Sequence, residues 1–298
     1  MKILKNCLYI LFILIFTFFI VPAEAAPKRI ISLTPAGTEI LYALGQEKNL
    51  IANTTFCDYP PEAQKKPKVG GFASMNYEYF ISKKADLIVI QDLHAQFIPQ
   101  LEKLKIPFVT LRQETIEEVC DSIMTLGKAT DSEKRAKELV TSIEKDIEYV
   151  SEKVKNSPRP KILLCISREF TGDKINIFFA AGNASFYNDM IKKGGGVNAL
   201  KKQKITYPQI SQEGLMMINP DVIIELIGDI DSGHSLTKGF AGMTNDLLKQ
   251  QWLNGVQVKA VRDNHVHILN GSIYLRPGPR VGQALIGFAR ALHPEINW

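Results

Sequence analysis

Two rhythms of apolar and polar residues alternate along this chain. The runs Ile30-Ile31-Ser32-Leu33, Leu50-Ile51-Ala52, Leu87-Ile88-Val89-Ile90 and Phe108-Val109-Thr110-Leu111 are short and carry no continuous polar face. Strands of that kind are buried on both sides, as in parallel sheets. Between the first two runs, Thr34-Pro35 starts a helix and Gly45 stops it. The same pattern returns later with Ile162-Leu163-Leu164-Cys165-Ile166 and Val222-Ile223-Ile224, then a strand over His265 to Leu269 and a terminal helix over Val281 to Leu292. A stretch of different period separates the two halves. From Thr130 to Asn156 the apolar residues Ala136, Leu139, Val140, Ile143, Ile147, Val150 and Val154 fall on one helical stripe, with Glu, Lys and Asp elsewhere. Thr130 or Asp131 can cap this helix, and Ser157-Pro158-Arg159-Pro160 ends it. At 1.5 Å per residue it runs roughly 40 Å, enough to cross from one lobe to another. The predicted fold is α/β: two similar lobes with mainly parallel central sheets, joined by one long rigid helix, with a cleft between them. The expected divisions are an N-terminal lobe over 26–129, a linker over 130–157 and a C-terminal lobe over 158–298.

A repeat reinforces the two-lobe reading. An aromatic, a glutamate six positions on and an aspartate eight further recur as Phe72, Glu78, Asp86 and as Tyr207, Glu213, Asp221, each followed by an apolar run. Asn76 and Ser211 stand two places before the glutamates and can cap a helix. That sets Glu78 and Glu213 in its first turn, where the dipole favours an anion. Phe72 and Tyr207 sit in Gly- or Pro-bearing loops leading into those helices. Large apolar residues on loops suit a cleft wall better than a core, and Phe56 is a third of the kind.

The ends and the composition narrow the setting. Lys2 and Lys5 precede an apolar run from Leu8 to Val21 and then Ala23-Glu24-Ala25, the pattern of a secretory signal peptide over residues 1–25. Cys7 lies before the apolar run, so it is not placed to carry a lipid. The predicted location of the mature chain is the periplasm. A net charge of +5 over 298 residues is too mild to suggest nucleic acid. Cys57, Cys120 and Cys165 have no metal-type spacing and read as small buried hydrophobes, with at most one internal disulfide. His265 and His267 could share one face of a strand as ligands do, but a polar strand face explains them as well, and no metal site is expected. Gly194-Gly195-Gly196 lacks the following lysine of a phosphate loop and reads as a turn after a helix. No zinc-protease helix motif, nucleophile elbow or dinucleotide fingerprint occurs, so the expectation is a non-enzyme, with a secreted hydrolase as the alternative.

The order of segments resembles the substrate-binding proteins of bacterial ABC transporters for cobalamin and iron complexes, the class with one helical linker. The matching stretches are Arg29 to Glu39, Phe56 to Ala63, Met75-Asn76-Tyr77-Glu78, Tyr207 to Glu213 and Asn219 to Ile223. The likeness is nearest to the cobalamin-binding members. It implies that Glu78 and Glu213 pair with arginines on the two subunits of an inner-membrane permease dimer. It further implies that Phe56, Phe72, Tyr207, Phe179 and Arg276 contact the ligand. That ligand would be cobalamin or a related corrinoid, with a ferric siderophore or haem as the alternative, carried as cargo and not as a cofactor by a monomeric receptor. The family's cobalamin binders commonly have tryptophan where this chain has Phe72 and Tyr207, which leaves the ligand open within that group.

Overall fold

The computed structural model of the protein describes residues 26–71, 76–168, 175, 177–228 and 243–298. Residues 1–25, expected as a signal peptide, and Phe72 lie outside the described residues. In chain order the N-terminal half contains β1 (Ile30–Ser32), α1 (Pro35–Ala43), β2 (Leu50–Asn53), α2 (Tyr77–Ser82), β3 (Leu87–Gln91), α3 (Ile98–Lys103), β4 (Phe108–Leu111) and α4 (Ile116–Ala129). The long helix α5 (Glu133–Val154) follows. The C-terminal half then runs through β5 (Lys161–Arg168), β6 (Ile177–Ala180), α6 (Phe186–Lys193), β7 (Val197–Asn198), β8 (Gln209–Ser211), α7 (Gln212–Ile218) and β9 (Val222–Ile227). It ends with α8 (Asn245–Leu253), α9 (Lys259–Arg262), β10 (Val266–Asn270), α10 (Ser272–Leu275) and α11 (Val281–Leu292).

The first sheet is wholly parallel, in the order β2-β1-β3-β4. The second is mixed: β10-β9-β5 are parallel, whereas β6 and β8 extend it antiparallel. Alternation along the strands divides the core into three. Ile31, Ile88 and Ile90 face an outer cluster of the N-terminal lobe around Phe80 and Leu101. Leu163, Cys165 and Ile223 face an outer cluster of the C-terminal lobe around Phe178 and Trp252. Ile30, Leu87 and Val89 of one sheet and Ile162, Leu164 and Ile224 of the other belong to a single inner cluster that runs through both lobes. Each central strand is therefore apolar on both faces, which is why these stretches carry no polar side.

The long helix threads that shared core. Ala136, Ile143, Val150 and Val154 are its buried positions, and it packs along α4 of one lobe and α11 of the other. Two glycines set the approach. A Cβ on Gly127 of α4 would lie 2.4 Å from the Ala136 Cβ, and one on Gly282 of α11 would lie 2.4 Å from an Asp146 carboxylate oxygen. The helix is thus clasped from both lobes, closer than any larger side chain permits. Its cap is Ser132, not Thr130 or Asp131 as expected. Ser132 holds that place without a capping hydrogen bond from its side chain, since its hydroxyl donates to the Thr130 carbonyl at 3.1 Å and accepts from Gln46 Nε2 at 2.6 Å. No described helix is long and apolar enough to cross a membrane.

Candidate functional site

A cavity of about 630 Å³ lies between the lobes at the carboxyl ends of the strands. Gln91 ends β3, Leu111 ends β4, and Ile166, Ser167, Leu226 and Ile227 belong to β5 and β9; all line it. Loops beyond strand ends are where open α/β sheets leave a crevice.

The C-terminal wall is aromatic. Phe186 and Tyr187 open α6, and their rings meet edge to face at 5.6 Å. The Tyr187 ring in turn lies 6.4 Å from that of Tyr207, at 60°. All three line the cavity, and Phe56 lines it from the N-terminal side. Burial pushes the phenols of Tyr187 and Tyr207 up from their ordinary values, with the neighbouring Tyr207 adding to the rise at Tyr187. Both are therefore neutral phenols at physiological pH. Phe179 sits elsewhere. Its neighbour Phe178 turns inward against Trp252 at 5.2 Å, so strand alternation sends Phe179 to the opposite face of β6, half-buried and not among the residues lining the cavity.

Arg276 does reach the cavity, but its guanidinium is engaged. It pairs with Asp58, lies 3.4 Å from Glu39 Oε1 and donates to the Phe56 carbonyl at 3.4 Å. Burial works to lower its pKa, but Asp58 and Glu39 outweigh that and raise it. Glu39 is also held by Arg280, whose Nε and Nη2 both donate at 2.8 Å in a bidentate fork. The Arg280 guanidinium stacks 3.7 Å above the Tyr59 ring. Glu39 belongs to α1 and the two arginines flank the start of α11, so this network ties one lobe to the other beside the cavity. Sequence reasoning missed Glu39 and Arg280. The available signal was a carboxylate standing among Pro35, Ala36, Ile40 and Leu41, where only a paired charge is tolerated. Gln113 was also missed: it lines the cavity, and its buried side-chain nitrogen has no hydrogen-bond partner among the described residues.

The repeated glutamates lie apart from the cavity lining. Asn76 caps α2 by accepting from the Tyr79 N–H at 2.9 Å, and Ser211 caps α7 by accepting from the Gly214 N–H at 3.2 Å. Glu78 and Glu213 are each the second residue of their helix, and both are exposed. A hydrogen bond from the Ser211 hydroxyl, aided by the backbone, holds the Glu213 carboxyl below its ordinary value. The repeated aspartates are strand anchors. Asp86 accepts from the Lys28 and Arg29 N–H groups at 2.9 and 2.8 Å, and Asp221 from the Lys161 N–H at 2.8 Å.

With this geometry, residues 30–272 match the family described as periplasmic binding protein. The chain belongs to that family. Among relatives of this binding protein, the vitamin B12-binding protein of Vibrio parahaemolyticus is 28% identical over 285 residues, covering 95% of this chain and 94% of the relative. The ABC transporter substrate-binding lipoprotein YvrC of Bacillus subtilis is 28% identical over 280 residues, covering 92% and 83%. The periplasmic haem-binding protein RhuT from Roseiflexus sp. RS-1 has a similar structure, with a TM-score of 0.72 at 22% identity over 90% of this chain and 98% of that one. The two-lobed α/β architecture read from the sequence is the architecture of this binding protein and of its structural neighbours.

Proposed function

We propose that this binding protein captures cobalamin or a related corrinoid in the periplasm and delivers it, as a monomer, to an ABC transporter permease. The observation that carries the ligand assignment is the charge of the cavity. Its described lining includes three acids, Asp58, Asp92 and Glu114, against one base, Arg276, and that base is already neutralised by Asp58 and Glu39. A corrinoid is a flat macrocycle fringed with neutral amides. The aromatic wall of Phe186, Tyr187 and Tyr207 suits its faces, and the unpartnered Gln113 nitrogen suits an amide carbonyl. The B12-binding relatives support the same reading.

Haem is the second reading, favoured by the Tyr207 phenol, which could ligate iron. One feature opposes it: haem's two carboxylates find no unengaged cation in the described lining. Calorimetry on the mature protein with cyanocobalamin, cobinamide, haemin and a ferric siderophore separates these. The expected corrinoid dissociation constant is micromolar or tighter, roughly −8 kcal/mol. No heat and no corrinoid retained on gel filtration removes this ligand. Gln113→Ala is expected to weaken corrinoid binding about five- to tenfold, the worth of one hydrogen bond.

Delivery is assigned to Glu78 and Glu213, one exposed carboxylate per lobe, facing basic residues on two equivalent permease subunits. Charge reversal of both, Glu78→Arg with Glu213→Arg, should leave ligand affinity unchanged and abolish uptake. Uptake that survives the double reversal removes the docking assignment.

A further inference from the structure

Nine large apolar side chains are exposed among the described residues, and three of them stand beside the repeated glutamates: Ile81 on α2, and Met216 and Met217 on α7. The two helices have the same pattern of burial. After an exposed glutamate come a half-buried residue, a buried one (Phe80 or Leu215) and an exposed apolar one three places from the glutamate (Ile81 or Met216). Ile81 and Met216 are each 54% exposed, and Met217 is 88% exposed. Scattered exposed hydrophobics are ordinary on a protein surface. Equal exposure at equal positions in two lobes of otherwise different sheet topology is not scatter. Phe80 and Leu215 anchor the helices to the outer cores of their lobes, so the exposed residues are held on fixed platforms.

We infer that Ile81 and the pair Met216 and Met217 form two matched apolar pads, one per lobe, that seat on the membrane component of the transporter together with Glu78 and Glu213. The inference rests on the docking role proposed above for the glutamates. Each pad asks for an apolar recess beside a basic side chain, and two like pads ask for a partner that presents that recess twice. A pad of two methionines accommodates imperfect repetition, since the thioether chain adapts its shape to the surface it meets. The second pad follows a cavity residue closely in the chain. Tyr207, which lines the cavity, is six residues ahead of Glu213, and β8 and the start of α7 account for most of that distance. Ile81, Met216 and Met217 themselves do not line the cavity, which separates them from ligand contacts.

The test uses the mature protein and its transporter reconstituted in vesicles, with the variants Ile81→Gln and Met216→Gln/Met217→Gln, singly by lobe and combined. All three positions are exposed, so the substitutions leave the cores intact. Corrinoid affinity by calorimetry is expected to be unchanged. Docking measured by co-sedimentation is expected to weaken at least tenfold for one pad and to disappear for both. The loss should persist at high salt, whereas the loss from Glu78→Gln with Glu213→Gln should be largest at low salt, because exposed charges are screened and apolar contacts are not. Full docking by the combined pad variant, when the glutamate variant fails to dock, overturns the pads and leaves the docking glutamates standing. Failure of the unsubstituted protein to dock overturns both. A wild-type dimer in sedimentation that the pad variant turns to monomer also overturns the inference, since the occupant is then a second copy of this chain.

Discussion

Two buried ion networks in this protein look alike and do different things. Inside the C-terminal lobe, Arg168 Nε meets Glu225 Oε1 at 2.5 Å, and Trp252 Nε1 donates to the other carboxylate oxygen at 2.7 Å. Both charged side chains are almost wholly inaccessible, and burial raises the Glu225 pKa, with Arg168 and Trp252 opposing that rise. Across the lobes, Glu39 is just as deeply buried, but its partners Arg276 and Arg280 keep some access to solvent at 15 and 18%. The first network braces β5 and β9 against α8 within one folded unit. The second joins α1 to the segment before α11 and walls the cavity. A buried charge inside a lobe fixes a local structure; the same device placed between lobes fixes a ligand-binding geometry.

The comparison can be broken from either side. The largest effect is expected from Glu225→Ala, which removes from the buried Arg168 the carboxylate that its Nε meets. Loss of a partner in such a pair costs about 3–5 kcal/mol, read as a shift in the urea midpoint. A loss under about 1 kcal/mol would mean that Arg168 reaches water. Glu39→Ala should cost less, about 2 kcal/mol, because Arg276 retains Asp58 and both guanidiniums can be solvated. It should also speed hydrogen exchange in α1 and α11 together. Exchange that rises in one helix alone would deny the coupling between lobes.

Asp58→Asn sharpens the contrast further. Stability should change by no more than about 1 kcal/mol. Arg276 then faces the cavity with less compensation, so haemin, which carries two carboxylates, should bind about tenfold more tightly while corrinoid affinity holds. Unchanged haemin affinity would show that Glu39 suffices to neutralise Arg276. The smallest effect concerns His267 on β10, whose pKa is lowered by burial, with Lys249 and His265 adding to it. The folded state then binds its proton at lower pH than the unfolded chain does. Its contribution is complete above the ordinary imidazole value near 6.5 and falls as pH drops from there towards the folded pKa. His267→Gln should flatten the stability profile in that window, and an unaltered slope would assign the acid sensitivity to other groups.

Much of this molecule was legible before any coordinates. Ile30, Leu87, Leu163 and Ile223 lie in runs apolar on both faces, as strands of a sheet covered on both sides require. The period of α5 and the caps at Asn76 and Ser211 were legible for the same local reason. What stayed hidden depends on distance along the chain or on brevity. The short antiparallel strands β6 and β8 are too brief to announce themselves, and that Phe179 is not among the residues lining the cavity could not be read from its place beside Phe178. The start of α5 at Ser132 was missed because Thr130 and Asp131 precede it with side chains equally suited to a cap. Glu39 could be seen as an anomaly in an apolar helix, but its partners could not be named, since Arg276 lies 237 residues away.

That separation also orders events in time. Every strand of the first sheet lies between Ile30 and Leu111, so the N-terminal lobe can assemble its sheet before the rest of the chain is available. The Glu39–Arg280 fork closes a loop of 241 residues, and its arginine is among the last to arrive. Until then Glu39 is a carboxylate awaiting its counter-ion on a surface not yet covered. The cleft wall is therefore complete only when both ends of the chain have met, and a spectroscopic label at Tyr59, under the Arg280 guanidinium, would report when they do.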